Sequence, residues 1–461
     1  MPNITKISLM SALTVILVVM LCGSAAAQHI TGTLPDGAAY VIDVPPLWNG
    51  TLLLYSHGYV APGSPNPAED VGDPITGGFM LAAGYALAGS SYATTGWAVQ
   101  QAIPDQIATL DAFETIVGTP LKTIAWGHSL GGMITAGLVQ EFPDRFNAAL
   151  PMCGVLAGGV GIWDGSLDAA FAFNLLLAGG SLQVVDITNP ELNLGAAEAI
   201  LAASQATAKG RARLALVAAL GDLPGWYNPT SREPAPTNYR AQEANQFLWM
   251  QNVDFPFIFA LRAELEARAG GNVSYNTGVD FAQQLNNSID NAEVRALYTA
   301  AGLSLDADLA TLKNAPRISA DPGALTYLSE NIIYNGQLTI PVLTLHTTGD
   351  GLVPVENERA YRRVVGEAND IALLRQTFVH RAGHCAFTPA ETIVALQTLD
   401  QRLTTGIWKN LSVSTLNSEA AFLGAEFNVF EVNDTLVPTP PAFLQFDPLQ
   451  FLRLYDAFTQ Q

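Results

Sequence analysis

The sequence predicts an α/β protein, a mostly parallel sheet flanked by helices with a large helical cap inserted after the sixth strand. Three observations carry this. Short apolar runs of β type alternate with helical patterns of ten or more residues from about 30 to 154, the pattern of βαβ units. After Gly154 the chain turns Ala-rich and helical in period as far as Gln337, and alternation resumes at Ile340. A G-x-S-x-G sequence, Gly127-His128-Ser129-Leu130-Gly131, stands between a strand-like run and a helix-like run. The middle segment is thus an insertion into one α/β unit and not a separate unit at one end.

The elements follow in order. Residues 30–44 alternate weakly, as opening strands do, and 51–55 (Thr-Leu-Leu-Leu-Tyr) form a buried-strand run. A Gly/Pro-rich loop over 61–74 leads to a helix over 77–83 and a strand over 85–89. Pro104 suits the first turn of a helix reaching about 117, with Ile107, Leu110, Phe113 and Ile116 on one face. Next come a strand over 122–126, a helix over 133–141 and a strand over 148–154. After the insertion, strands over 340–346 and 371–379 enclose a helix over 356–365, and a last helix begins at Thr388-Pro389. From Asn410 onward short strands and Pro-rich turns are expected (Pro438, Pro440, Pro441). The organisation is therefore a leader over 1–27, a core over 28–154, a cap over 155–338, core again over 339–409, and a C-terminal extension over 410–461.

The 461 residues, 49% hydrophobic and 13% charged, suffice for a large core. A formal charge of −20 argues against nucleic acid and against anionic membrane surfaces as partners. Lys6, an apolar run over 7–21 and Ala25-Ala26-Ala27 read as a signal peptide cleaved after Ala27. The run is short for a membrane span, and Leu21 before Cys22 is too large for a lipoprotein signal. A secreted or periplasmic protein without stable membrane association is expected. Its oligomeric state is open.

The chemistry is written in three turns. A strand, a sharp turn and a helix around Ser129 form the context of a nucleophile elbow, which lifts the hydroxyl above the sheet edge. A serine nucleophile needs a base, and the base an orienting carboxylate. Asp350, in Gly349-Asp350-Gly351-Leu352-Val353-Pro354, and His384, in Gly383-His384-Cys385, each follow a predicted strand. Asp36, Asp43, Glu356 and Glu358 lack that position. His380 and His384 stand four apart, but at a strand end and without a third ligand, so no metal is expected, and no cofactor motif is present. His128 is expected to be structural. Gly158-Gly159-Val160-Gly161 follows the wrong strand for a phosphate loop and reads as a hinge of the insertion.

The order Ser129, Asp350, His384 resembles that of the α/β-hydrolase superfamily, over residues 30–155 and 338–405. The resemblance implies that Ser129 attacks an acyl carbonyl while His384 moves its proton and Asp350 holds the imidazole. Leu130 N–H and a second N–H, from Tyr59 or Gly58 in the His57-Gly58-Tyr59 turn, would hold the oxyanion. It also places Cys153 and Cys385 at the catalytic edge of the sheet, where either a disulfide or two free thiols is compatible with an exported chain. Tannases and related feruloyl esterases pair a cysteine after the histidine with one before the serine. Here the His-Cys half is present and His128 occupies the other position.

The function expected is a secreted serine hydrolase cleaving carboxylic esters of small or medium size through an acyl-enzyme. The alternative is an exported serine aminopeptidase or oligopeptidase, for which Glu264 and Glu266 in the cap are the candidate carboxylates. A binding protein that only looks like an enzyme is disfavoured by retention of all three residues, and dehalogenation by the serine where it would need an aspartate.

Overall fold

The computed structural model describes residues 27–432 and 435–455. The expected leader lies outside the described residues, save for Ala27. The strands are β1 (Gln28–Thr33), β2 (Ala39–Val44), β3 (Thr51–Ser56), β4 (Ala86–Ser90), β5 (Lys122–His128), β6 (Ala148–Met152), β7 (Val342–Gly349), β8 (Leu374–Ala382), β9 (Val429–Val432), β10 (Thr435–Pro438) and β11 (Phe443–Leu444). Nine of them form one sheet in the order β1-β2-β4-β3-β5-β6-β7-β8-β11, with β4 to β8 mutually parallel and β1, β2 and β11 antiparallel to their neighbours. This is the α/β-hydrolase arrangement.

The helices are α1 (Pro74–Ala82), α2 (Val99–Ile116), α3 (Leu130–Glu141), α4 (Gly158–Leu176), α5 (Pro190–Gln205), α6 (Ala208–Leu220), α7 (Tyr239–Trp249), α8 (Arg262–Ala269), α9 (Phe281–Asn287), α10 (Asn291–Ala301), α11 (Leu305–Asn314), α12 (Pro322–Glu330), α13 (Glu356–Glu367), α14 (Pro389–Thr405) and α15 (Val413–Phe422). A parallel sheet is covered on both faces, so its strands read as continuous apolar runs. The period-two pleat then deals alternate residues to the two sides. Leu52, Leu54 and Ala125 join a core with α2, α3 and α13, whereas Leu53, Tyr55 and Trp126 join one with α1, α14 and α15. Each fully buried leucine contributes about 1.5–3 kcal/mol.

Helices α4 to α12 lie between β6 and β7 and have a core of their own, including Phe171, Phe173, Phe255 and Phe259. Within this segment α7 runs into α8 through two π-helical stretches, Met250–Asp254 and Phe257–Leu261, on either side of Pro256. Proline lacks the N–H that an α-helix requires, and the wider π turn absorbs that break.

Three expectations are corrected. Helix α2 begins at Val99, so Pro104 lies inside it and not in its first turn. Burial of Val99, Ala102 and Ile103 outweighs one lost bond, and Pro104 itself faces solvent. Gly158–Gly161 is no hinge but the start of α4, packed so closely that a Cβ on Gly161 would stand 3.0 Å from the Arg453 carbonyl. The C-terminal extension holds a helix, α15, besides short strands. In addition, β8 starts three residues later than the run at 371 suggests. Leu373 closes a turn on Asp370, and the shift carries Arg381 into the strand.

Candidate active site

Strand β5 ends at His128 and α3 starts at Leu130, leaving Ser129 alone to reverse the chain. Its backbone is left-handed, φ 59° and ψ −123°, a strained state that an L-residue holds only when its surroundings enforce it. The enforcement is steric. A Cβ on Gly131 would stand 1.9 Å from the Ser56 carbonyl, and one on Gly127 would stand 2.4 Å from it, so β3 approaches as only glycine permits. Cys153 and Cys385 are left-handed as well, which gathers three strained non-glycine residues at one edge of the sheet.

Ser129, His384 and Asp350 arrive from β5, β8 and β7 and form one hydrogen-bonded line. Ser129 Oγ lies 2.7 Å from His384 Nε2, and His384 Nδ1 lies 2.7 Å from Asp350 Oδ2. The Asp350 carboxylate is buried and accepts from Leu352 N–H and Val353 N–H through Oδ1, both at 3.0 Å. Beneath it, buried His346 contacts the Val353 carbonyl at 2.9 Å and Glu358 at 3.2 Å.

The loop carrying His384 is fastened from several sides. Arg381 is buried and meets Glu391 bidentately at 2.7 and 3.0 Å, while donating to the Ala386 carbonyl. Glu391 also completes a capping box with Thr388 at the start of α14. Thr347 Oγ1 donates to the Gly383 carbonyl, and a Cys153–Cys385 disulfide ties the loop to the end of β6. Arg381 carries no signature that singles it out in sequence, whereas Glu391 could have been found as the fourth residue of the capping box Thr388-Pro389-Ala390-Glu391.

Leu130 is the first residue of α3, so its N–H has no partner within the helix and sits at the positive end of the helix dipole. Gly58 passes so close that a Cβ there would stand 3.4 Å from Ser129 Cβ. The turn is braced by His57, stacked on Tyr92, whose hydroxyl donates to the His57 carbonyl at 3.0 Å. The other residues weighed earlier lie apart. His128 packs against Tyr55, Trp126 and Phe387, where burial and the nearby His384 hold its imidazole down to about 4. His380 contacts Glu233 at 3.4 Å, and among the described residues no cluster suits a metal ion. Glu264 is bound to Arg268 and to Trp97 N–H, and Glu266 to Arg262 and Ile187 N–H. Asp43 pairs with His29, and Glu358 with His346.

A cavity opens beside Ser129 and Leu130, walled chiefly by Tyr59, Trp97, Trp163, Phe257, Leu352 and Asp254. Trp163 and Phe257 thus face the cavity, while Phe171, Phe173, Phe255, Phe259, Phe281 and Tyr298 belong to the core of the insertion. A larger cavity lies behind Asp350, with Asp222, Asp290, Glu293 and Glu356 in its wall.

No protein-family model matches this chain. It is 30% identical to the o-phthalyl amidase of Xanthobacter agilis over 455 residues, covering 89% of this chain and 96% of that protein. Among solved structures it resembles feruloyl esterase B from Aspergillus oryzae, with TM-score 0.41, 13% identity, and 82% and 81% of the two chains covered. It also resembles the Pyrococcus horikoshii acylaminoacyl peptidase, with TM-score 0.39, 9% identity, and 85% of this chain but 43% of that one covered.

Proposed function

This chain belongs to the same family as the o-phthalyl amidase of Xanthobacter agilis, and from that premise we propose an exported serine hydrolase that cleaves carboxylic esters and amides of compact aromatic acids. The observation that carries the reading is the line Ser129–His384–Asp350 at a strained elbow. Ser129 Oγ attacks the acyl carbonyl as His384 Nε2 takes its proton. The oxyanion falls between Leu130 N–H and an N–H of Gly58 or Tyr59, each such donor lowering the barrier by about 3 kcal/mol. His384 returns the proton to the departing alcohol or amine, and water repeats the cycle on the acyl-enzyme.

The walls beside Ser129 support an aromatic acyl group, since rings gain most from apolar surroundings with edge and face contacts. The relative acts on an o-phthalyl amide by its name, which favours amide as well as ester cleavage. The aminopeptidase alternative wants a free carboxylate for the substrate's amino group. Glu264 and Glu266 are engaged in ion pairs and do not supply one. Export is supported by the amino-terminal pattern and by the disulfide. Among the described residues no helix is long and apolar enough to cross a membrane.

The test is hydrolysis by protein starting at Gln28, with Ser129→Ala as control. The panel holds p-nitrophenyl esters of rising chain length, benzoyl and feruloyl esters, a phthalyl anilide and aminoacyl p-nitroanilides. Serine-dependent turnover greatest on the aromatic acyl compounds is expected. Turnover confined to aminoacyl anilides would install the peptidase reading, and activity surviving Ser129→Ala would remove the mechanism.

A further inference from the structure

His346 lies on β7 four residues before Asp350 and is wholly buried, yet both of its ring nitrogens face acceptors. Its Nε2 stands 2.9 Å from the Val353 carbonyl and 3.7 Å from Asp350 Oδ2, and its Nδ1 stands 3.2 Å from Glu358 Oε1 on α13. A carbonyl only accepts, so Nε2 carries a hydrogen. Nδ1 faces a carboxyl oxygen, and two lone pairs do not face each other that closely, so a proton lies between them as well. The second oxygen of Glu358 accepts from Thr344 Oγ1 and from Gln376 Nε2. Three donors thus converge on one carboxylate, the arrangement that favours its charged form, and the proton belongs to His346.

Burial alone would lower the basicity of this imidazole. The Glu358 hydrogen bond and charge, the Asp350 charge and the Val353 carbonyl outweigh it and hold the group above the ordinary histidine value. The other titratable groups in reach are acidic: Glu356 and Tyr361 on α13, and Asp254 from the π-helical stretch, which faces Asp350. Two imidazoles therefore flank one carboxylate oxygen. His384 Nδ1 lies 2.7 Å from Asp350 Oδ2, and His346 Nε2 approaches the same atom from the other strand. Val353 completes the frame, because its N–H donates to Asp350 Oδ1 while its carbonyl accepts from His346.

We propose that His346, held as an imidazolium by Glu358, is a positioning residue of the triad, pinning the turn that grips Asp350 and setting the charge that His384 meets through it. The proposal rests on the reading of Ser129, His384 and Asp350 as a catalytic triad. His346 stands between Asp350 and Glu358, so its positive charge is nearer to His384 than the negative charge of Glu358. The pair therefore disfavours a second positive charge on His384 and keeps that base free to take the Ser129 proton at lower pH.

Glu358→Gln isolates the charge. Its amide oxygen must sit where Thr344 and Gln376 donate, which turns the amide N–H toward His346 Nδ1 and leaves that imidazole neutral in an unchanged shape. The measurement is the rate at which a fluorophosphonate labels Ser129 as a function of pH, which requires no knowledge of the substrate. The parent curve should follow the ionisation of His384, and the Glu358→Gln curve should lie about half a pH unit higher. His346→Gln, whose amide still donates to Val353, should shift the curve upward by at least as much. In protein carrying nitrogen-15 histidine, His346 should show two ring N–H signals at pH 7. Glu358→Gln should remove one of them, and His346→Gln assigns both. Coincident labelling curves, rates lowered at every pH without a shift, or a single ring N–H on His346 in the parent protein would overturn the proposal. Should Glu358→Gln fail to fold, the parent spectrum and the His346→Gln curve decide. A parent protein whose Ser129 stays unlabelled at every pH would instead remove the triad reading, whereas normal labelling with coincident curves removes the role of His346 alone.

Discussion

Asp350 shows how one atom's surroundings set its task. Its Oδ1 is occupied by two backbone N–H groups, which leaves Oδ2 to face His384 Nδ1. Asp350→Asn places an oxygen where those N–H groups need one and an amide N–H toward the imidazole. The histidine is then held in the tautomer that cannot take the Ser129 proton, and kcat should fall by about 10⁴ with the fold intact. Ser129→Ala should remove turnover at least as completely, with less than about 0.5 kcal/mol change in stability, because a hydroxyl facing a cavity contributes little packing. Steady-state kinetics and urea titration of the two variants check both expectations. Normal kcat in Asp350→Asn would mean that the carboxylate does not orient the base. All three residues were legible in the sequence because each lies in a short motif directly after a strand. Asp254, Trp97 and Trp163 were not, since they come from three distant segments and carry no local signature.

At the scale of elements, the His384 loop is the piece most worth perturbing. Its disulfide spans 232 residues of sequence, a long separation for which loss of the bridge typically costs about 2–4 kcal/mol through the unfolded chain. Cys153→Ala/Cys385→Ala should therefore lower the unfolding free energy by that amount and shift the denaturation midpoint down accordingly. Some activity should remain, because the Arg381–Glu391 pair and the Thr347 bond still hold the loop. An unchanged midpoint in equilibrium unfolding would show that the bridge adds nothing to stability. The cysteines could be placed at one edge from the order of the strands, but whether they bond depends on two left-handed turns that no pattern announces. Pro104 was misleading for a similar reason: the preference for helix starts is weak, and buried Val99 and Ile103 extended the helix back beyond it.

Across the whole molecule, the C-terminal segment closes on the inserted helices, with Arg453 as a buried cation in that contact. Arg453 reaches Asp168 at 2.6 Å and Asp164 at 3.0 Å on α4, all three being buried. Burial raises both carboxyls, Asp164 to about 7, even though Arg453 pulls them down. Arg453→Leu removes that pull and leaves two buried acids unpaired, at a cost of about 3–5 kcal/mol. The loss should grow as pH rises, because the folded state must then hold protons that the unfolded chain releases. Denaturation at pH 6 and pH 8.5 checks this; equal losses at the two values would contradict it. A second acidic group acts in the same direction. Burial first, then Asp290, push Glu293 up to about 9. An acid whose folded pKa is raised loses stability as pH climbs from its unfolded value near 4.5 to its folded one. The protein should therefore be more stable near pH 5 than near pH 9. Glu293→Gln should raise Tm by about 1–3 °C at pH 8.5 and leave it nearly unchanged at pH 5.

The sequence by itself determined the class of fold, the position of the insertion, and the three residues that meet at the sheet edge. Strand periodicity, glycine-limited turns and the order of motifs are local properties, readable without knowing what touches what. Only the tertiary structure decided which cap residues face Ser129, which carboxylates are already paired, and that Arg453 locks the extension onto α4. Those outcomes depend on burial and on partners hundreds of residues away. The free energy of a buried charge or of an orphan N–H is set by its neighbours in space, which residue type and spacing alone do not encode.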